Sequence, residues 1–298
     1  MKKLFILPAL AILAASCKEV PVTVDMGSVP YSDSTYVSST IETPETKNFL
    51  VEEVTGVRCV NCPLGTEKLN ELNAQNNNRL HVIAVHQSSF SNPYDESKYN
   101  FRTGDDGKSI IQGIFGSQGN PPTACFDRWP LGNNSEYLVD GQTNFAAAVA
   151  EMKALSNTTP VNLSVQSKYN AQRDEYEIDV AIRYTENVTG QHGLTIYLTE
   201  NDIEDVQLTP DGKDYNYIFN HVFRKAILPA AGKIILSDLD TKEAGRVYNC
   251  RTILKIDASD PFQSTWKPEN LEVTAFLSVA NNPDDKHVLQ VQSAPLIP

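Results

Sequence analysis

Positive charge is scarce in this chain of 298 residues: 25 Lys and Arg face 37 Asp and Glu, for a formal net charge of −12. No stretch gathers basic residues into a patch. That excludes nucleic acid and electrostatic adhesion to anionic lipid as main modes of binding. Long apolar runs are also missing after Ala15. Nothing later approaches the roughly 20 residues a spanning helix requires, so the body of the chain is expected to be soluble. No internal repeat is visible, and no cofactor is expected. Cysteine is sparse, with five in all, Cys17, Cys59, Cys62, Cys125 and Cys250. What is plentiful is apolar content, 41 % of the residues. Together with the length, this suggests about two domains with real cores.

The N-terminus carries a transport signal. Lys2 and Lys3 precede an apolar stretch from Leu4 to Ala15, which is too short for a permanent transmembrane helix. Leu13-Ala14-Ala15-Ser16-Cys17 resembles the bacterial lipobox, in which small residues lead into the cysteine that receives lipid. Residues 1–16 are therefore read as a signal peptide and Cys17 as the lipidation site. More than one acyl chain on Cys17 would give a stable membrane anchor. Residues 17–46, rich in Ser, Thr, Val and Pro, are read as lipidated Cys and tether. Within them the β-prone stretch from Ser32 to Ile41 is open to a second reading, as an edge strand.

From Asn48 the pattern is α/β. Phe49 to Val54 reads as a strand, and Cys59-Val60-Asn61-Cys62-Pro63 opens a helix running to about Ala74. Pro63 fits a first helical turn, where its missing N–H costs nothing. Leu80 to Val85 reads as a strand buried on both faces. A cysteine at the start of a helix lies near unsatisfied N–H groups that favour thiolate over thiol. Cys59 is thus the candidate nucleophile, Cys62 the resolving cysteine one turn deeper, and Arg58 an added positive charge. Three uses of the pair stand open: a redox centre, an inert disulfide, and half of a metal site with His81 and His86. Against the last, an odd separation of five puts the two histidines on opposite faces of one strand.

After Pro160 the apolar period becomes two, over 161–165, 176–182, 194–198, 222–226, 273–279 and 288–292. Gly, Asn and Pro turns separate these runs, as in an antiparallel β-sandwich. The fold class expected is α/β plus all-β, with the α/β unit over 47–157 and an Ig-like sandwich over 158–298. Cys125 and Cys250 are read as buried thiols, with a bridge between them as the alternative. His221 and Arg224 are read as parts of one sandwich strand. The acidic loops at 104–107 and 281–285 lack calcium-loop spacing and are read as solvated turns.

Strand, CxxC, helix, strand, helix, then Pro122-Thr123 leading a strand resembles the thioredoxin fold. In that family a cis-proline followed by Thr faces the CxxC, which here matches Pro122. A buried acid six residues before the first cysteine relays a proton, and Glu53 holds that position. Glu for Asp, Arg58 for the usual aromatic residue, and Val-Asn between the cysteines are departures. Val51 to Pro63, Pro122-Thr123 and Asn220-His221-Val222-Phe223-Arg224 together resemble the outer-membrane-protein-28 (Omp28-related) lipoproteins of Bacteroidetes, over roughly residues 48–298. That resemblance implies an outer-membrane, lipid-anchored protein with a thioredoxin-like domain and a β-sandwich, facing the periplasm or the cell surface. Its expected partners are the membrane, through Cys17, and disulfide-containing envelope proteins. Thiol–disulfide oxidoreductase, surface adhesin or receptor, and structural envelope lipoprotein are the functions to be weighed.

Overall fold

The computed structural model describes residues 30–131 and 136–297. Residues 1–16, read above as a signal peptide, and Cys17 lie outside the described residues. Among those described, no helix is long and apolar enough to cross a membrane.

The chain is mostly β with few helices. Its first half contains β1 (Tyr31–Val37), β2 (Phe49–Val54), α1 (Cys62–Gln75), β3 (Leu80–Val85), α2 (Asp105–Lys108), β4 (Thr123–Phe126), β5 (Leu138–Asp140) and α3 (Phe145–Leu155). A π-helical turn, Ser109–Ile114, continues from α2. There follow β6 (Val161–Asn170), β7 (Glu175–Tyr184), β8 (Val188–Thr189), β9 (Gln191–Glu200), β10 (Ile203–Thr209) and β11 (Gly212–Phe219). The chain ends with β12 (Val222–Ala226), β13 (Lys233–Ile235), β14 (Thr241–Lys242), β15 (Arg246–Leu254), β16 (Leu271–Ala280) and β17 (Val288–Pro295).

Two sheets dominate. One has four strands in the order β1-β15-β7-β6, and the other runs β17-β16-β9-β12-β3-β2-β4-β5, with β13 also on β9. Between them lies the first core. Val161 and Leu163 of β6, Ile178, Val180 and Ile182 of β7 and Cys250 of β15 meet Leu194, Ile196 and Leu198 of β9 and Val273 and Leu277 of β16. Period-two patterning places these side chains on inner faces.

In the CxxC half the large sheet is covered on both sides. Leu69 and Leu72 of α1 and Phe145, Val149 and Met152 of α3 pack with Phe49, Val51, Leu80 and Val82. On the opposite face Ile110, Ile111 and Ile114 pack with Leu50, Val54, Ile83 and Val85. That double cover is why β2 and β3 read as unbroken apolar runs.

Two features bear on how the chain is divided. Of the two readings of the stretch from Ser32 to Ile41, tether and edge strand, the second holds: β1 pairs with β15 from Tyr31↔Thr252 to Val37↔Arg246. Residues 31–37 are therefore an edge strand of the small sheet, not free linker. The α/β unit and the β region after 158 also do not have separate sheets. β12 pairs in parallel with β3 through Val222↔Ala84 and antiparallel with β9, making one sheet of both. Buried ion pairs sew the same seam. Arg128 donates through Nε and Nη2 to Glu52 at 2.9 and 2.8 Å and through Nη1 to the Ala230 carbonyl at 2.9 Å. Lys47 Nζ lies 2.7 Å from Asp127 Oδ2 and donates to the Leu289 carbonyl at 3.2 Å. Removing one partner of such a pair strands a charge in the interior.

Candidate functional site

The chain leaves β2 through Thr55 and Gly56. Gly56 is held tightly: a Cβ there would sit 2.6 Å from the Phe90 backbone. The Cys59 N–H donates to the Gly56 carbonyl at 2.9 Å, and the Cys62 N–H to the Cys59 carbonyl at 3.2 Å. Those two turns bring the sulfurs of Cys59 and Cys62 together as a disulfide, with the Cα atoms 5.3 Å apart. Pro63 sits in the first turn of α1.

The expectation of an exposed Cys59 is not met. Cys59 is 3 % exposed and Cys62 1 %. The cover is the β10–β11 hairpin. Leu208 N–H donates to the Val57 carbonyl at 2.9 Å, and the buried Gln207 amide donates to the carbonyls of Cys59 at 3.0 Å and Leu208 at 2.8 Å. Tyr217, Phe219 and Gln207 enclose, with Cys62, Thr66 and His86, a cavity of about 20 Å³. That is space for about one water and no substrate. The second cover is the 88–91 loop, where Ser88 and Ser91 hydroxyls both donate to the Thr55 carbonyl.

Arg58 does not serve the cysteines either. Its Nε and Nη2 donate to the carbonyls of Asn92 and Pro93 at 2.8 and 2.6 Å, and its guanidinium lies 4.2 Å from the Tyr94 ring centre. Its charge anchors that loop.

Glu53 and Pro122 do converge on α1. The Pro121–Pro122 peptide bond is cis. A Cβ on Gly65 would fall 2.6 Å from Pro122 Cβ and 3.3 Å from Glu53 Oε1. Only glycine lets α1 approach so closely. Glu53 is buried and accepts the Thr66 hydroxyl at 3.0 Å. Burial pushes its carboxyl up to about 7, and the Thr66 bond opposes the shift only in part.

The remaining candidates are dispersed. Cys125 and Cys250 are free and buried, in different cores, so the bridge between them is not formed. Burial raises both thiols, Cys250 to about 12. His81 Nδ1 is 2.7 Å from Ser293 Oγ, whereas His86 Nδ1 meets the Ala84 carbonyl and its ring lies edge-on to Phe101. Among the described residues no cluster of three His, Cys, Asp or Glu side chains is placed to hold a metal. Arg224 forms a buried ion pair with Glu200 at 2.8 Å.

Gln207, Tyr217 and Gly65 were not foreseen. The signal for the hairpin is present in Thr209-Pro210-Asp211-Gly212, turn chemistry that joins two strands. Nothing local marks Gly65.

Fold and site thus define a mostly-β protein with a disulfide sealed at a strand-to-helix turn. The chain belongs to the Omp28 family: the model of outer membrane protein Omp28 matches residues 111–297. Among solved structures it is similar to HBP35 of Porphyromonas gingivalis, at 15 % identity and a TM-score of 0.62, covering 84 % of this chain and 76 % of that one. That likeness concerns the fold. Protein AGR_C_4864 of Agrobacterium tumefaciens aligns at 14 % identity and a TM-score of 0.48, over 86 % of this chain and 97 % of that one. No curated protein matches.

Proposed function

We propose that this is an outer-membrane lipoprotein, anchored through Cys17, in which a thioredoxin-like half serves as scaffold for an Ig-like β-sandwich half. In this reading the Cys59–Cys62 disulfide is a structural crosslink. The observation that carries it is the burial of both cysteines under the β10–β11 hairpin. A disulfide exchanges only when a thiolate can reach one of its sulfurs, and neither sulfur is open to a protein substrate.

A second reading keeps the oxidoreductase. Glu53, with its carboxyl near 7, and Pro122 against Gly65 favour it. The reduced Cys59 thiolate would attack a substrate disulfide and displace one substrate thiolate. The Cys62 thiolate would then attack the mixed disulfide, passing two electrons to the substrate and restoring the Cys59–Cys62 bond. This requires the hairpin to move aside.

Dithiothreitol-driven insulin reduction decides between them, using protein without residues 1–17. The scaffold reading expects wild type and Cys59→Ser to match the uncatalysed background. Turnover that depends on Cys59 overturns it in favour of the oxidoreductase.

A further inference from the structure

Among the described residues the outer edge of β1 has no partner strand. β1 ends its sheet, and its pairing with β15 is regular over all seven residues. The Ser38 N–H donates to the Gly245 carbonyl, and the Ile253 N–H to the Pro30 carbonyl. The ladder to β15 therefore uses the even-numbered residues of β1. Tyr31, Asp33, Thr35 and Val37 turn their N–H and C=O groups away from β15, and among the described residues no strand receives them.

Natural edge strands are blunted by charged side chains, especially Lys, by Pro or by a bulge. Tyr31-Ser32-Asp33-Ser34-Thr35-Tyr36-Val37 has no Lys, Pro or bulge, and its single charged side chain, Asp33, is engaged by Tyr248. Instead Tyr36 and Val37 are 53 % and 50 % exposed. The strand is also held firmly in place. Tyr248 Oη donates to Asp33 Oδ2 at 2.7 Å, the Tyr31 and Tyr248 hydroxyls share a hydrogen bond at 2.5 Å, and Thr35 Oγ1 donates to the Val247 carbonyl at 2.7 Å. An edge so fixed loses little freedom on pairing.

We infer that β1 docks a second copy of this chain, strand to strand, antiparallel, with Ser34 opposite Ser34. The side-chain pattern, complementary to itself about Ser34, selects that occupant, and backbone parity restricts the register. Antiparallel strands exchange paired hydrogen bonds only between residues that both face the partner, so odd-numbered residues must face odd-numbered ones. With Ser34 on the two-fold axis, Tyr31 faces Val37 and Asp33 faces Thr35, which engages every outward-turned residue of the strand. Moving one copy by two residues toward Asp33 sets Asp33 against Asp33, a like-charge pair that destabilises a sheet. In the chosen register each carboxylate meets a threonine, and each Tyr31 ring meets a β-branched Val37, a favourable cross-strand pair. Tyr36 crosses to Ser32 on the outer face and loses part of its exposure. The two four-stranded sheets become one sheet across the axis.

The test uses the chain without residues 1–17, in sedimentation equilibrium over a range of concentrations and in cysteine crosslinking. The mass should rise from monomer to dimer with concentration. Ser34→Cys places two thiols at a non-hydrogen-bonded pair, about 4.5 Å apart between Cα atoms, within the roughly 4.4–6.8 Å range of disulfides. Mild oxidation should convert most of it to crosslinked dimer. Ser32→Cys puts its copies four positions apart along the strand, on the order of 13 Å, and should stay uncrosslinked. Thr35→Pro deletes one outward N–H while leaving the even-numbered bonds to β15 intact, a substitution edge strands tolerate. It should hold the chain monomeric and prevent crosslinking at position 34. A monomer at every concentration, equal crosslinking at 32 and 34, or a dimer that survives Thr35→Pro would each overturn the inference. So would capture of the edge by a strand of a different protein in place of the second copy.

Discussion

Replacing Gln207 by alanine should make the Cys59–Cys62 disulfide markedly easier to reduce. In the closed site the Gln207 amide donates to the carbonyls of Cys59 and Leu208 at 3.0 and 2.8 Å. The bond to Cys59 joins the hairpin to the CxxC turn and is lost in the variant, while the Cys59 carbonyl keeps the Cys62 N–H at 3.2 Å. A hydrogen bond of this kind contributes about 0.5–1.5 kcal/mol net. When the hairpin lifts, water replaces the Gln207 amide, so the loss falls on the closed state alone. At about 1.4 kcal/mol per tenfold, the open population rises roughly 2- to 12-fold. If opening and closing outpace chemistry, the reduction rate follows that population. The assay treats native protein with excess dithiothreitol, quenches with acid at intervals, alkylates free thiols and reads the mass gain at Cys59 and Cys62. Hydrogen exchange on β10 and β11 should accelerate in parallel, while amides of β7 and β9 keep their protection. An unchanged reduction rate in Gln207→Ala refutes the reasoning. So does a wild-type disulfide that is reduced as fast as in unfolded chain, because the hairpin would then not be its seal.

Two further expectations concern Glu53 and Cys17. The Glu53 carboxyl is raised to about 7 in the folded chain, so between its unfolded value and 7 the folded state holds a proton that the unfolded state has released. Stability contributed by this group is therefore greatest below its unfolded pKa and declines as pH rises toward 7, by roughly 3 kcal/mol over the interval. Urea midpoints of wild type between pH 4.5 and 8 should show the decline and those of Glu53→Gln should lack it; parallel curves would refute the assignment. In the producing bacterium, Cys17→Ser should lose labelled palmitate and leave the membrane fraction, and retention of both would remove the lipid anchor from the proposal.

Local chemistry made much of the CxxC half legible. Pro63 can stand only near a helix start, and α1 begins at Cys62. The apolar run from Leu80 to Val85 demanded cover on two faces, and the π-turn on one side and α1 and α3 on the other provide it. Glu53 was located through the thioredoxin resemblance, which expects a buried acid six residues before the first cysteine, and it is buried against Thr66. The partner of β3 was not legible. Val222 pairs with Ala84, and a single parallel pair across so long a separation leaves no periodicity to read. Burial of the disulfide escaped for the same reason, since the residue that seals Cys59 is Gln207, a polar side chain in a segment whose only local mark is a turn. Arg58 was misjudged because adjacency in sequence says nothing about direction, and its side chain reaches toward Asn92 and Pro93.

The shared sheet sets the order in which this protein can be made. β3 is flanked by β2, which lies before it in the chain, and by β12, which is threaded out far later. A chain still being made has β2, α1 and β3 in hand while the side of β3 that awaits Val222 is still naked. Stable closure has to wait until residues 222–226 have arrived. Until then that edge is open to pairing with a neighbouring chain, and a product truncated near residue 157 would inherit that bare flank permanently.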